Sequence, residues 1–313
     1  MNIGIDMMGG DFAPLEAVKG VQQYLSSSEN NIFCIGEETQ LKDLFQQHGV
    51  SSPFLHIIHA PDAIGYHEHP TKALKEKPNS SIAIGFQLLA NGDIDAFGSA
   101  GNTGAMLVGA MFSIKPIKGV LRPTLGSLLP KLDDKTGILV DVGLNADCKP
   151  EQLVQFAILG NLYAKHILNI ENPKVGLLNM GEEEGKGNLL AQTTYPLLKE
   201  NTHIEFMGNV EGRDIFNDKA DVIVCDGFTG NIVLKTAEAM YDAAKQQNLE
   251  NDSFFGRFHF ENYGGTPVLG VNKPVIIGHG ISNAKAFSNM IALGEKLVAT
   301  KFCDIITTNF ANL

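Results

Sequence analysis

Two glycine clusters hold the residues best suited to chemistry in this chain: GEEEGKGN at 181–188 and CDGFTGN at 225–231. Lys186 sits between Gly185 and Gly187 with three glutamates behind it, so it can reach a bound oxyanion as a point charge while the carboxylates set its direction. A charged surface loop is the plain alternative. Asn231 directly follows GFTG and opens a helix expected over 231–245, where its side chain either donates to an oxygen in a transition state or serves as an N-cap. The sequence leaves both pairs of readings open, and Lys186 and Asn231 are the catalytic candidates.

These clusters are the fourth and fifth of six. IGIDMMGGDFAP (3–14), AFGSAGNTGA (96–105), LVDVGLNADC (139–148) and IIGHGISNAK (276–285) likewise end an apolar strand-like run and begin a helical pattern, and Asn recurs in five of the six. In a parallel sheet such junctions gather at the strands' carboxyl ends, where following helices offer backbone N–H groups and the positive end of their dipoles. That edge suits phosphate or a developing oxyanion. Ordinary tight connections are the better account of any one junction; six together favour a ligand.

Several chemistries lack their signatures. No GxGxxG follows a strand, the Gly98, Gly101, Gly104 spacing is wrong for a dinucleotide, and neither GxxxxGK[ST] nor a GxSxG elbow occurs. Cys225 ends a strand beside Asp226 without an assignable base and reads as a core thiol. His67 and His69 read as exposed loop residues. Asp6, Asp141 and Asp226, all near strand ends, are read as loop-fixing carboxylates in preference to metal ligands. No metal and no cofactor is expected.

The elements that must position these residues follow from periodicity. Strands are expected at 2–7, 31–35, 54–59, 94–98, 137–142, 174–179, 204–207, 221–225 and 274–277. Helices are expected at 41–48, 80–90, 105–113, 151–168, 189–198, 231–245 and 284–300, with another opening near Pro14. This alternation implies an α/β fold: a doubly wound, mainly parallel sheet in three α/β/α layers, read as a single domain over 1–313. Two irregular segments, 117–134 and the phenylalanine-rich 246–272, are candidate lobes or partner surfaces, with burial as a small aromatic core the equal alternative.

At 313 residues with 44% hydrophobic and 19% charged residues, the chain is an ordinary globular protein. Its net charge of −11 argues against nucleic acid, which needs a basic face. No apolar stretch approaches bilayer length and the N-terminus runs straight into a strand, so a cytoplasmic location is expected. The 4 cysteines are scattered and read as reduced thiols.

Eight collinear segments, IDMMGGDFAP, SAGNTGAM, DVGLNADCKPEQLVQFA, GLLNMGEEEGKGN, GNVEGRDIF, CDGFTGNIVLK, YGGTPVLGVN and HGISNAKA, together resemble the bacterial phosphate acyltransferases of phospholipid synthesis. The resemblance implies a fold similar to isocitrate and isopropylmalate dehydrogenases. It also implies transfer of a fatty acyl group from acyl carrier protein to inorganic phosphate, giving acyl phosphate, by direct attack without an acyl-enzyme. A homodimer, and a cytoplasmic protein with weak peripheral membrane contact, are implied as well.

By the same resemblance Lys186 holds phosphate and Asn231 orients it or the thioester carbonyl. Gly9, Gly10, Asp11, Asn102, Thr103, Asn145, Ser282 and Asn283 line the cleft, and Lys75, Lys77 and Arg122 meet phosphate or the carrier's acidic surface. Phe12 stands where the family usually has His, Lys75 where Arg is usual, and 246–261 is shorter than the family's amphipathic hairpin. A metal-dependent decarboxylating dehydrogenase on the similar fold and a non-catalytic phosphate- or carrier-binding regulator are the alternatives.

Overall fold

The computed structural model describes residues 1–132, 134–249 and 252–313, with Phe260 by its backbone alone. In chain order the elements begin β1 (Asn2–Asp6), α1 (Leu15–Leu25), β2 (Asn31–Gly36), α2 (Glu38–Gln47), β3 (Leu55–His59), α3 (Pro70–Glu76), α4 (Ser81–Asn91), β4 (Ala96–Ser99) and α5 (Thr103–Gly109). They continue with β5 (Thr124–Pro130), β6 (Thr136–Val140), α6 (Pro150–His166), β7 (Lys174–Leu178), α7 (Leu189–Lys199), β8 (Glu205–Val210), β9 (Val222–Val224), α8 (Gly227–Gln246), β10 (Thr266–Leu269), β11 (Val275–Ile277), α9 (Ala284–Ala299) and α10 (Phe302–Phe310). Contacts divide the chain into two compact units, Met1–Ile117 with Phe260–Cys303, and Lys118–His259 with Asp304–Leu313.

The first unit orders its strands β3-β2-β1-β4-β11-β10, parallel except for β10 against β11. Side chains alternate across a strand. Phe97 on β4 therefore meets Phe86 of α4 edge-on at 5.2 Å, while its neighbour Gly98 lies under Met290 of α9. The two helices thus cover opposite faces, which makes three layers. α1 buries Ala17, Val18, Val21 and Tyr24, a spacing that puts them on one helical face.

The second unit orders β5-β6-β9-β7-β8, parallel except for β5 against β6. α6 buries Leu153, Phe156, Ala157, Gly160 and Tyr163, the face its sequence period marks out. The mainly parallel α/β class expected from the alternation is what the chain adopts.

Local expectations fail where periodicity is weak. The segment 117–134 contains β5, and 246–272 contains β10 after short 3-10 turns. Phe254, Phe216 and Phe258 stack edge-on within the second unit at 5.0–6.3 Å, so these aromatics form a small cluster. α3 and α10 had no clear sequence signal. α8 begins at Gly227, four residues before the expected start, because the Asp226 carboxylate caps it by accepting from the Thr229 N–H and hydroxyl. Among the described residues no helix is long and apolar enough to cross a membrane.

Candidate active site

In the second unit, the loop from β7 to α7 carries Lys186. Glu182 pairs with Lys219 at 2.7 Å and Glu184 with Lys199 at 2.5 Å, so two of the three glutamates anchor the loop. The third, Glu183, lies 4.0 Å from the Lys186 ammonium, a loose contact that leaves the exposed lysine able to meet a ligand. Gly187 has φ +94, a left-handed conformation that glycine adopts without the usual penalty, and it turns the chain into Asn188, the cap of α7. Asn179 ties the loop down, donating to the Lys186 carbonyl at 3.1 Å and to Asn209 at 3.0 Å.

Asn231 lies in the first turns of α8, since Gly227 opens the helix. It is therefore not an N-cap, and its exposed side chain makes no hydrogen bond among the described residues. A Cβ on Gly143 would stand 3.4 Å from its Oδ1, which puts Asn231 over the turn after β6. That turn is built on Asp141, fully buried, whose carboxylate accepts from the N–H groups of Leu125, Gly143, Leu144 and Asn145 and from the Asn145 side chain. Asn145 spends its remaining amide proton on the Pro123 carbonyl at 2.9 Å, holding the strand entry beside Arg122. Asn145 is thus committed to the loop, whereas Arg122 is exposed and makes no ion pair among the described residues.

The loops meet at two adjoining cavities. A polar one of about 590 Å3 is lined by Asp147, Cys148, Asn188, Asp226, Phe228 and Thr229. An apolar one of about 430 Å3 shares Asn188, Leu190, Asp226 and Thr229 with it and runs inward. Burial pushes the Cys148 thiol up to about 12, with Asp141 and Asp226 raising it further and Arg122 opposing. Burial also raises the Cys225 thiol well above its ordinary value, and its sulfur lies 3.6 Å from the Asp141 carbonyl. Desolvation disfavours the thiolate at both, Cys225 within the core and Cys148 half-buried at the wall of the polar cavity.

In the first unit, the loops after β1, β4 and β11 converge. Asp11 N–H donates to the Gly280 carbonyl at 2.7 Å, and a Cβ on Gly9 would come within 2.6 Å of the Gly101 nitrogen, so only glycine fits. Asp6 accepts from Ser99 Oγ at 2.6 Å and from Met8 N–H. Burial raises its carboxyl against those hydrogen bonds. Asp6, Asp141 and Asp226 thus all fix loops.

Most of the donors predicted here are engaged. Asn102 caps α5 with its oxygen and gives its amide protons to the carbonyls of Gly65, Tyr66 and Glu68. Asn283 caps α9 and donates to Glu261, Ser282 donates to the His279 carbonyl, and Lys77 pairs with Glu68. Asp11, Thr103 and Lys75 are exposed, and Gly10 leaves its backbone at φ +120. Tyr66 escaped sequence reading: its hydroxyl donates to the Ala100 carbonyl, and burial, with Asp11 nearby, pushes it up to about 12. No local pattern marks a residue whose partner lies 34 positions away. Asp226, Thr229 and Asn188 were within quoted motifs, but their cavity-lining role depends on the starts of α7 and α8 being brought to the same space by the fold.

The fold is that of a class of proteins that includes phosphotransacetylases. The Streptococcus pyogenes phosphotransacetylase superposes with a TM-score of 0.67 at 17% identity over 97% of this chain and 94% of that one. A 4-hydroxythreonine-4-phosphate dehydrogenase from Klebsiella pneumoniae gives 0.57 at 10% identity over 95% and 97%. In sequence, residues 1–251 match the family described as "Fatty acid synthesis protein". The phosphate acyltransferase of Aquifex aeolicus is 42% identical over 100% of this chain and 98% of its own length, and that of Thermoanaerobacterium thermosaccharolyticum 43% over 95% and 93%. The chain belongs to the phosphate acyltransferase family and is an acyltransferase.

Proposed function

We propose that this enzyme transfers a fatty acyl group from the thioester of acyl carrier protein to inorganic phosphate, releasing the carrier thiol and acyl phosphate for phospholipid synthesis. The observation that carries the reading is Lys186: a cation between two glycines, on a loop anchored by its flanking carboxylates, with only a 4.0 Å contact of its own. Phosphate is already an anion at neutral pH and needs positioning and charge neutralisation more than activation by a side-chain base. One of its oxygens bonds to the thioester carbonyl carbon, the carbonyl becomes an oxyanion, and collapse breaks the C–S bond, the leaving thiolate taking the proton that hydrogen phosphate gives up.

Lys186 holds the phosphate and offsets developing charge, and Asn231 donates to phosphate or to the oxyanion. Arg122, Lys75, Thr103, Asp11 and the backbone of Gly9 and Gly10 contact anionic groups of the substrates. Asn102, Asn145, Ser282, Asn283 and Lys77 position those loops from within. Burial disfavours the thiolate of Cys148 and of Cys225, which supports direct attack. We further propose a cytoplasmic homodimer with weak peripheral membrane contact.

The deciding experiment mixes purified protein, acyl carrier protein loaded with a fatty acyl group, and phosphate, without added metal. Acyl phosphate and free carrier in equal amounts are expected. An acyl group trapped on the polypeptide during turnover overturns the direct-attack route, and donor consumption that does not depend on phosphate overturns the function.

A further inference from the structure

We propose that the apolar cavity of the second unit binds the hydrocarbon chain of the acyl donor and sets the preferred chain length; this rests on the acyl-transfer reading above. The cavity, about 430 Å3, falls within the range of small-molecule pockets. Its floor is Leu153 of α6 and Leu177 of β7, both buried, and its walls are Leu190 and Ala191 of α7 and Val233 of α8. At the lip stands Met180, 80% exposed, an adaptable side chain that costs free energy in water unless something covers it.

The two ends of this space differ in chemistry. Inward it offers aliphatic carbon, where water finds few partners. Outward it opens on Asn188, Asp226 and Thr229, which it shares with the polar cavity beside the Lys186 loop. A molecule with an alkyl tail and a polar thioester head matches that gradient. The tail displaces weakly held water, and its head is left at the loops that would meet phosphate. Nothing on the inner wall is reactive, since the Cys225 sulfur is turned to the Asp141 carbonyl.

The test compares kcat/KM for straight-chain acyl thioesters from butyryl to palmitoyl, with phosphate as acceptor. In the unaltered protein it should rise about fourfold per added methylene until the cavity fills, the ratio that ~0.8 kcal/mol per buried methylene corresponds to. Val233→Trp narrows the cavity from the half-buried face of α8, and Met180→Trp blocks its lip from an exposed position. Each should lower the palmitoyl-to-butyryl ratio by roughly four- to fifteenfold, as loss of one or two buried methylenes predicts. A ratio unchanged in both variants, or no chain-length dependence in the unaltered protein, overturns the proposal.

Calorimetric titration with laurate separates this from the function itself. Laurate bound by the unaltered protein and lost in Val233→Trp supports the cavity even where no acyl phosphate forms. No laurate binding, or equal binding by the variant, overturns it even where acyl phosphate does form.

Discussion

The two units spend the donors of the same kind of glycine-rich junction differently. In the first, Asn102, Asn283, Ser282 and Lys77 turn their donors onto neighbouring carbonyls and carboxylates, which leaves Asp11, Thr103 and Lys75 as the exposed polar groups there. In the second, Asp141, Asn179, Glu182 and Glu184 do that internal work, and Lys186, Asn231 and Arg122 are left over. Both patterns look alike as strings of Gly, Asn and charged residues. What separates a scaffold donor from a ligand donor is whether a partner inside the protein already satisfies it, because a buried polar group must be paired whereas an exposed one is free to bind.

The sharpest way to break this contrast is Lys186→Ala, expected to lower kcat by roughly 100-fold at unchanged melting temperature, as loss of one preorganised charge does. Phosphate-dependent turnover close to that of the unaltered enzyme would remove the lysine from the mechanism. Asn231→Ala should cost about tenfold in kcat, again without destabilisation, since the residue caps nothing. A drop in melting temperature with retained turnover would make it a structural residue after all. Asn102→Ala belongs to the other region and should do the reverse: stability falls by about 1–2 kcal/mol in denaturant titration as the α5 cap is lost, while turnover per folded molecule holds within a few-fold.

The smallest effect concerns the anchor of the Lys186 loop at Lys219. Burial pushes the neighbouring Asp214 carboxyl up, but hydrogen bonds from Lys219, Asn217 and the Glu211 N–H outweigh it and hold it below its ordinary 3.8. A depressed carboxyl stabilises the fold above its unfolded value, and that contribution disappears as pH falls through the folded value. Acid titration of Lys219→Met should therefore show a shallower loss of stability below about pH 4 than the unaltered protein does. Superimposable acid limbs would show that the anchor carries no stability.

The alternation of elements, the buried face of α6 and the loops at the strand ends were legible along the chain, because side-chain period and glycine placement are local properties. The start of α8 was not, because FTG reads as a turn until the Asp226 carboxylate is seen capping the Thr229 N–H. β5 and β10 were missed because each lies at an antiparallel pairing, set within a proline-containing or aromatic segment without a clear alternation.

Sequence by itself determined the α/β class, the six junctions and Lys186 as a cation framed by glycines and carboxylates, since these depend on residues a few positions apart. Tertiary structure alone decided which asparagines are spent and which are free, and that a polar and an apolar cavity share one wall. Asn102 meets Gly65 and Asn145 meets Pro123 only because the chain folds back over tens of residues. A hydrogen bond needs its partners within about 3 Å, a condition that no local pattern encodes.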